Sequence, residues 1–303
     1  MMAAESQPML RGELKNDEPM SSYTSWRVGG AADICYRPAD LDDLVVFLQT
    51  LPVQTSVYWI GLGSNLLVRD GGIRGAVILP FNGLNTLQLI EPSVVFAGAG
   101  VTCAKVAKFS VRADLLGAEF LAGIPGTLGG ALAMNAGAFG SETWPLVKCV
   151  QTISRDGALH SREPKDYQVS YRTVNGPAEE WFVSAELQLQ SGNGEQAQQR
   201  IKTLLEKRGA TQPTQLPSCG SVFRNPPGDH AARLIEACGL KEVNIGAAQV
   251  SAKHANFIIN TGGAAASDIE ALIYRVQSEV EQQTGITLQI EVRITGEARS
   301  GSE

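Results

Sequence analysis

Histidine is scarce in this sequence and cysteine is scattered. Three histidines accompany five cysteines, and Cys35, Cys103, Cys149, Cys219 and Cys238 include no CxxC pair. An odd, dispersed set argues against a disulfide framework and against a zinc site, so no metal is expected. It also points to a reducing, cytoplasmic setting. No apolar run approaches the roughly 18–20 residues that span a bilayer. The opening stretch MMAAESQPMLRGELKNDEP lacks the apolar segment of a secretory signal. Lysine and arginine form no block: 25 basic residues face 31 acidic ones, for a formal charge of -6. That balance gives no electrostatic reason to expect nucleic acid or an anionic membrane, although a few local cations can still hold a small anion. Internal repeats and low-complexity tracts are missing too, and no obligate protein partner is evident.

What the chain does have is length, apolar content and glycine. Its 303 residues, 44% of them hydrophobic, suffice for two or three packed subdomains. Residues 1–23 read as a loosely ordered leader. Short β-branched or aromatic runs near Ile34, Val57, Val77 and Val94, and at Trp181–Leu189, read as strands. The spacing of Leu41, Leu44, Val45 and Leu48 predicts a helix capped by Asp40 or Asp42. Further helices are expected over Ala104–Ala113, over QQRIKTLLEKRG with its end at Gly209, over Ala231–Cys238 and over Ser267–Thr284. Arg155-Asp156-Gly157 reads as a hairpin turn. Strands at Asn256–Asn260 and Leu288–Thr295 complete an α+β pattern. The linker SGNGEQ places a boundary between a domain over 24–193, split near 80, and a second over 194–303.

The 32 glycines cluster in two segments, Gly61–Gly75 and Gly117–Gly140. GLGSN follows a strand, where glycines let successive backbone amides approach an anion. The same five residues also suit a plain tight turn, and they form neither a Rossmann fingerprint nor a Walker A loop. In the second segment nearly every residue from Gly117 to Ala138 is small. Glycine in a helix costs about 1 kcal/mol relative to alanine. So many glycines suit either a large ligand lying against the backbone or two backbones packed closely. Thr127 can offer a hydroxyl to phosphate, and Asn135 can hydrogen-bond a ring edge.

Together, GLGSNLLV (Gly61–Val68) and GIPGTLGGALAMNAGAFG (Gly123–Gly140) resemble the FAD-binding domain of the vanillyl-alcohol-oxidase, or PCMH-type, flavoprotein fold. TSWRVGGAAD (Thr24–Asp33), Tyr171-Arg172, GSVFRNP (Gly220–Pro226) and IEVRI (Ile290–Ile294) extend the likeness to the MurB family of UDP-N-acetylenolpyruvoylglucosamine reductases. The resemblance runs from about Thr24 to Gly296. It implies two small FAD-binding subdomains, a C-terminal α+β substrate-binding domain, and a last strand that returns to the flavin site. FAD contacts are implied at Gly61, Gly63, Ser64, Asn65, Leu66, Gly123, Pro125, Gly126, Thr127, Gly129, Gly130, Asn135 and Ala138.

The reaction implied by that resemblance is the NADPH-dependent, FAD-mediated reduction of UDP-N-acetylglucosamine enolpyruvate to UDP-N-acetylmuramate, a step of peptidoglycan precursor synthesis. Negative charge would build at the enolpyruvyl carboxylate, where Arg172 and Glu291 are implied, and Ser221 is implied as proton donor to the α-carbon. Glu291 would have to carry or share a proton to donate there. Tyr171, Asn225 and Arg293 match substrate-contacting positions, with Lys253, His254 and Asn256 as weaker candidates. Relatives that close a tyrosine loop over the substrate also carry a lysine shortly before the serine motif. Here Leu189 passes through SGNGEQ into a helix, and Ala210–Pro217 holds no lysine, so the chain resembles the shorter type. Lys207 or Arg208 stands nearest to that lysine's place. Cys219 has no neighbouring histidine and the reaction needs no covalent step. Two other readings are another FAD-dependent oxidoreductase of the same fold and a non-catalytic flavin-binding module.

Overall fold

The computed structural model describes residues 9–299, so residues 1–8 of the expected leader lie outside the described residues, as do 300–303. The rest of that leader departs from expectation: Glu13–Pro19 is a strand and Met20–Tyr23 a 3-10 turn. The sequence ELKNDEP gives little sign of this, because the strand is largely exposed and lacks β-branched residues.

Six helices are found among the described residues: α1 (Leu41–Thr50), α2 (Cys103–Arg112), α3 (Leu128–Ala133), α4 (Gly194–Thr211), α5 (Ala231–Ala237) and α6 (Ala266–Thr284). Helix α1 starts where Asp40 accepts a hydrogen bond from the Asp43 amide at 2.9 Å. Thr102 caps α2 in the same way. Helix α4 takes in the end of the expected linker and runs on through Gly209, which therefore does not stop it. The C-terminal strand is shorter than expected, covering only Arg293–Thr295. None of these helices is long and apolar enough to cross a membrane.

The chain divides into two compact units. One takes the chain through Lys15, Cys35–Gly61 and Ala76–Ala197; the other takes Asn16–Ile34, Leu62–Gly75 and the chain from Gln198 onward. Chain order alone misses this division, because long-range bonds tie early segments to late ones within the second unit. Leu66–Val68 lies parallel to Arg293–Thr295, and the Trp26 indole donates to the Ile258 carbonyl at 2.7 Å.

In the first unit an antiparallel five-stranded sheet takes the order Leu159–Arg162, Val147–Ser154, Glu180–Gln188, Val94–Gly98, Leu87–Glu91. The expected hairpin at Arg155–Gly157 is present: the Ser154 amide donates to the Ala158 carbonyl at 2.9 Å, and Gly157 takes φ +84°. In the second unit α5 and α6 pack around Trp26, Leu67, Val222, Phe223, Leu272 and Val292, all at most 5% exposed.

Asp70 anchors α6 inside that unit. Its carboxylate accepts from the Ala266 and Ser267 amides, each at 2.9 Å, while Arg69 pairs with Glu270 at 2.8 Å. Burial alone would raise the Asp70 carboxyl, but the two amides outweigh it and hold the group below its usual value. A depressed carboxyl stabilises the fold above its unfolded pKa of about 3.9, and that contribution fades as pH falls through the folded value. Asp70→Ala is therefore expected to cost about 1–2 kcal/mol at neutral pH, the range for a lost helix cap. Urea unfolding from pH 7 downward should show the wild-type advantage at neutral pH and its progressive loss as the pH falls below the unfolded pKa and through the folded one.

Candidate active site

The second unit gathers three of the sequence motifs. The Asn65 side-chain amide donates to the Glu291 carbonyl at 3.1 Å, and the Arg293 amide returns a bond to the Asn65 carbonyl at 3.1 Å. The Glu291 amide donates to the Val222 carbonyl at 2.8 Å, one residue past Ser221. Asn256 completes the frame: buried, it accepts from the Phe223 amide at 2.9 Å and donates to the Phe223 carbonyl at 2.8 Å, as a neighbouring strand would. The Ser221 backbone is thus fixed without help from its hydroxyl. Gly220 takes φ +70°, and a Cβ there would meet nothing within 4 Å, so space remains open beside the serine. In the Gly63–Leu66 turn, Gly63 takes φ +60°, and the amides of Leu62, Gly63 and Ser64 find no acceptor among the described residues.

Arg172 belongs to the first unit and stands on a turn, not within a strand. Gln168–Ser170 and Thr173–Asn175 form a hairpin closed by the Ser170–Thr173 pair, which leaves Tyr171 and Arg172 as the two-residue loop. Loops of that length favour glycine or asparagine, yet Arg172 occupies the left-handed region at φ +55°. Such a backbone costs on the order of 1 kcal/mol for an ordinary residue and is held only where its surroundings impose it. Here the guanidinium donates to the Gly137 carbonyl at 3.1 Å and the Asn135 carbonyl at 3.4 Å, and sits 4.9 Å from the Tyr171 ring centre. Arg172, Tyr171, Glu142, Phe139 and Ala138 line a cavity of about 580 Å³.

The glycine-rich segment of this unit is shaped first by protein neighbours. A Cβ on Gly61 would lie 2.5 Å from Thr127 Oγ1, one on Gly123 2.5 Å from the Phe139 ring, and one on Gly129 2.9 Å from Ala99 Cβ. Thr127 is buried and caps α3 by accepting from the Gly130 amide. Gly130 has room, with Thr127 Oγ1 at 3.7 Å as its sole neighbour within 4 Å, and a Cβ on Gly140 would meet nothing within 4 Å. Asn135, 1% exposed, spends both amide hydrogens inside the protein, on Glu142 and on the Ser170 carbonyl.

Comparison with known proteins matches residues 32–161 to the FAD binding domain family and 212–295 to the C-terminal domain of UDP-N-acetylenolpyruvoylglucosamine reductase. The reductase of that name from Alkalilimnicola ehrlichii is 60% identical over 300 residues, covering 99% of this chain and 100% of its own. The one from Methylococcus capsulatus is 58% identical and covers 98% of each chain. The chain belongs to the UDP-N-acetylenolpyruvoylglucosamine reductase family. A solved reductase of this family from Thermus caldophilus superposes with a TM-score of 0.82 at 32% identity, over 94% of this chain and 99% of that one. The α+β, PCMH-type expectation is borne out by these matches.

Against this family background several side chains gain definition. Arg208, near the place of the missing lysine, donates to Gln212 Oε1 at 3.1 Å, and burial pushes its pKa down. Lys253 reaches the same stretch, donating to the Gly209 carbonyl at 2.5 Å. His254 is half-buried, edge-on to Phe257 with ring centres 4.8 Å apart, and its partial burial lowers its pKa. Asn225 is exposed, and its side-chain oxygen accepts from the Ala231 amide at 3.1 Å at the start of α5. Sequence reasoning ranked Asn256 among weak substrate candidates and missed its clamp on the serine segment. An asparagine beside a strand gives no sign of which backbone it will copy.

Cys219 has the surroundings of an inert thiol. It is 2% exposed, its Sγ donates to the Gly63 and Leu66 carbonyls at 3.4 Å, and burial pushes its pKa up to about 12. The native protein, treated with iodoacetamide at pH 8 and mapped by mass spectrometry, is expected to leave Cys219 unmodified until it is unfolded. Alkylation of Cys219 at the rate of an exposed cysteine would contradict this assignment.

Proposed function

We propose that this protein acts in the cytoplasm and reduces UDP-N-acetylglucosamine enolpyruvate to UDP-N-acetylmuramate, with NADPH as reductant and FAD as carrier. The observation that carries this reading is the 60% identity to a reductase of that name over 99% of the chain. The backbone suits the cofactor. Three successive amides, at Leu62–Ser64, have no acceptor among the described residues, and successive amides of this kind can take a phosphate. Proposed FAD contacts in the second unit are Gly63, Ser64, Asn65 and Leu66. Those in the first are Gly61, Gly123, Pro125, Gly126, Thr127, Gly129, Gly130 and Ala138. FAD, when bound, supplies the hydride chemistry, and the protein supplies position and charge.

Arg172 is assigned to the enolpyruvyl carboxylate. Its planar fork matches a carboxylate, and its fixed charge opposes the negative charge that builds there. Glu291 is assigned to the same end of the substrate, and Tyr171, Asn225 and Arg293 to its carboxylate or nucleotide side. Ser221 is the proposed proton donor to the α-carbon. A serine hydroxyl is a weak acid, but it can protonate a carbanion-like centre when held in line with it. The open space beside Gly220 supports a close approach of substrate to that hydroxyl.

Neither matched domain is a separate dinucleotide-binding domain, so NADPH and the UDP-sugar are expected to use one cleft in turn. Initial velocities measured over a grid of both substrates should then give parallel double-reciprocal lines, with inhibition at high UDP-sugar. Intersecting lines without that inhibition would refute a shared cleft. A protein that turns over NADPH equally well without the UDP-sugar would refute the function itself.

A further inference from the structure

We propose that Asn135 and Glu142 are positioning residues for Arg172, and that the Asn135 side chain does not contact the cofactor. The inference rests on the function proposed above and concerns a part of the site to which no role has been given. Asn135 is 1% exposed and takes φ +41°, on the left-handed side that asparagine tolerates better than most residues. Its Nδ2 donates to Glu142 Oε2 at 2.8 Å and to the Ser170 carbonyl at 3.2 Å, and its Oδ1 accepts from the Trp144 amide at 3.1 Å. Flipping the amide would set Nδ2 against the Trp144 N–H and Oδ1 against a carboxylate and a carbonyl, so the network admits one orientation. Both amide hydrogens are consumed within the protein, leaving none for a flavin ring edge.

Both groups that the Asn135 amide hydrogens reach lead to Arg172. Ser170 is the last strand residue before the Tyr171-Arg172 loop, so the bond to its carbonyl fixes where that loop begins. The Asn135 carbonyl itself accepts from Arg172 Nη1. Glu142 is paired with Gly137 across a two-residue hairpin, and the Gly137 carbonyl accepts from Arg172 Nη2. A Cβ on Gly137 would lie 3.2 Å from Glu142 Cγ and 3.3 Å from Arg172 Nη1, so the carboxylate stem and the guanidinium flank the same small space. Both also line the 580 Å³ cavity. The buried amide and its carboxylate partner thus fix the segments that carry the two carbonyls receiving the guanidinium.

The test separates the two half-reactions by rapid mixing of the FAD-loaded protein. One arm follows flavin bleaching by NADPH; the other mixes pre-reduced protein with UDP-N-acetylglucosamine enolpyruvate. Glu142→Ala is expected to keep full FAD content, an unshifted visible spectrum and an NADPH arm within about twofold of wild type. Its substrate arm should slow by about tenfold to a hundredfold, the scale of a misplacement transmitted to a reacting group. Glu142→Gln, which retains an acceptor for Asn135, should recover most of that loss. In an Arg172→Lys background Glu142→Ala should add little, because both changes act through one guanidinium. Asn135→Ala is expected to follow Glu142→Ala; if it does not fold, the Glu142 series decides. Loss of FAD, equal slowing of both arms, or full additivity with Arg172→Lys would overturn the inference. So would wild-type rates in Glu142→Ala. Wild-type protein whose reduced flavin ignores the UDP-sugar overturns the proposed function, and this inference with it.

Discussion

Ser221→Ala is expected to yield a yellow protein that NADPH still reduces but that has lost about two to four orders of magnitude in turnover of UDP-N-acetylglucosamine enolpyruvate. That range is the usual share of a positioned general acid. The prediction is sharp because the hydroxyl has no hydrogen bond among the described residues. The backbone on either side is held by the left-handed Gly220, by the Val222 amide on the Asn256 carbonyl at 2.9 Å, and by the Glu291 amide on the Val222 carbonyl. Removing one oxygen from this frame should leave thermal stability and FAD content alone. Stopped-flow mixing of the reduced variant with substrate isolates the half-reaction that contains the proton transfer. Turnover at the wild-type rate would remove Ser221 from the mechanism.

Arg172→Lys should give the second large effect, a fall in kcat of about 10²–10³ with the visible spectrum unchanged, as expected when a charge-stabilising donor is displaced. Lysine keeps the charge but loses the fork. A single ammonium cannot reproduce the two bonds to the Asn135 and Gly137 carbonyls while presenting a second edge to a carboxylate. Steady-state kinetics would show the loss mainly in kcat if the contact strengthens as charge develops, and mainly in KM if it only anchors the ground state. An Arg172→Lys variant within a fewfold of wild type in both constants would contradict the assignment.

Where local chemistry and final structure agree, the sequence was readable. Asp40 caps α1, the Arg155–Gly157 turn closes its hairpin, and the periodic apolar stripe of α6 runs within one residue of its expected start. Each depends on neighbours a few positions away. The readings that missed depend on distant partners. Glu13–Pro19 is a strand with no β-branched residue to announce it. Helix α4 continues through Gly209 to Thr211, so the glycine is not its stop. Close packing of Thr127, Phe139 and Ala99 against the glycines at 61, 123 and 129 stands beside the ligand reading, and composition alone does not announce it.

The candidate site divides in the same way. Its residue types and order identify the family, as the near-full-length identity to named reductases bears out. Its geometry was not legible. Arg172 breaks the turn rules at φ +55°, so no propensity places it on a hairpin tip. Asn135, a polar residue among small ones, reads as a ligand contact, and nothing in its neighbourhood in the sequence announces its three internal hydrogen bonds. Such local conflicts between sequence rule and structure concentrate at functional sites, where the strain is held by the surrounding packing.

The most direct measurement is to record the visible spectrum of the purified protein and then follow NADPH absorbance with and without UDP-N-acetylglucosamine enolpyruvate. The expected result is a flavin spectrum and NADPH consumption that depends on the UDP-sugar. A yellow protein whose NADPH consumption ignores that substrate would contradict the proposed reaction, and a colourless one that takes up no added FAD would contradict the site as well.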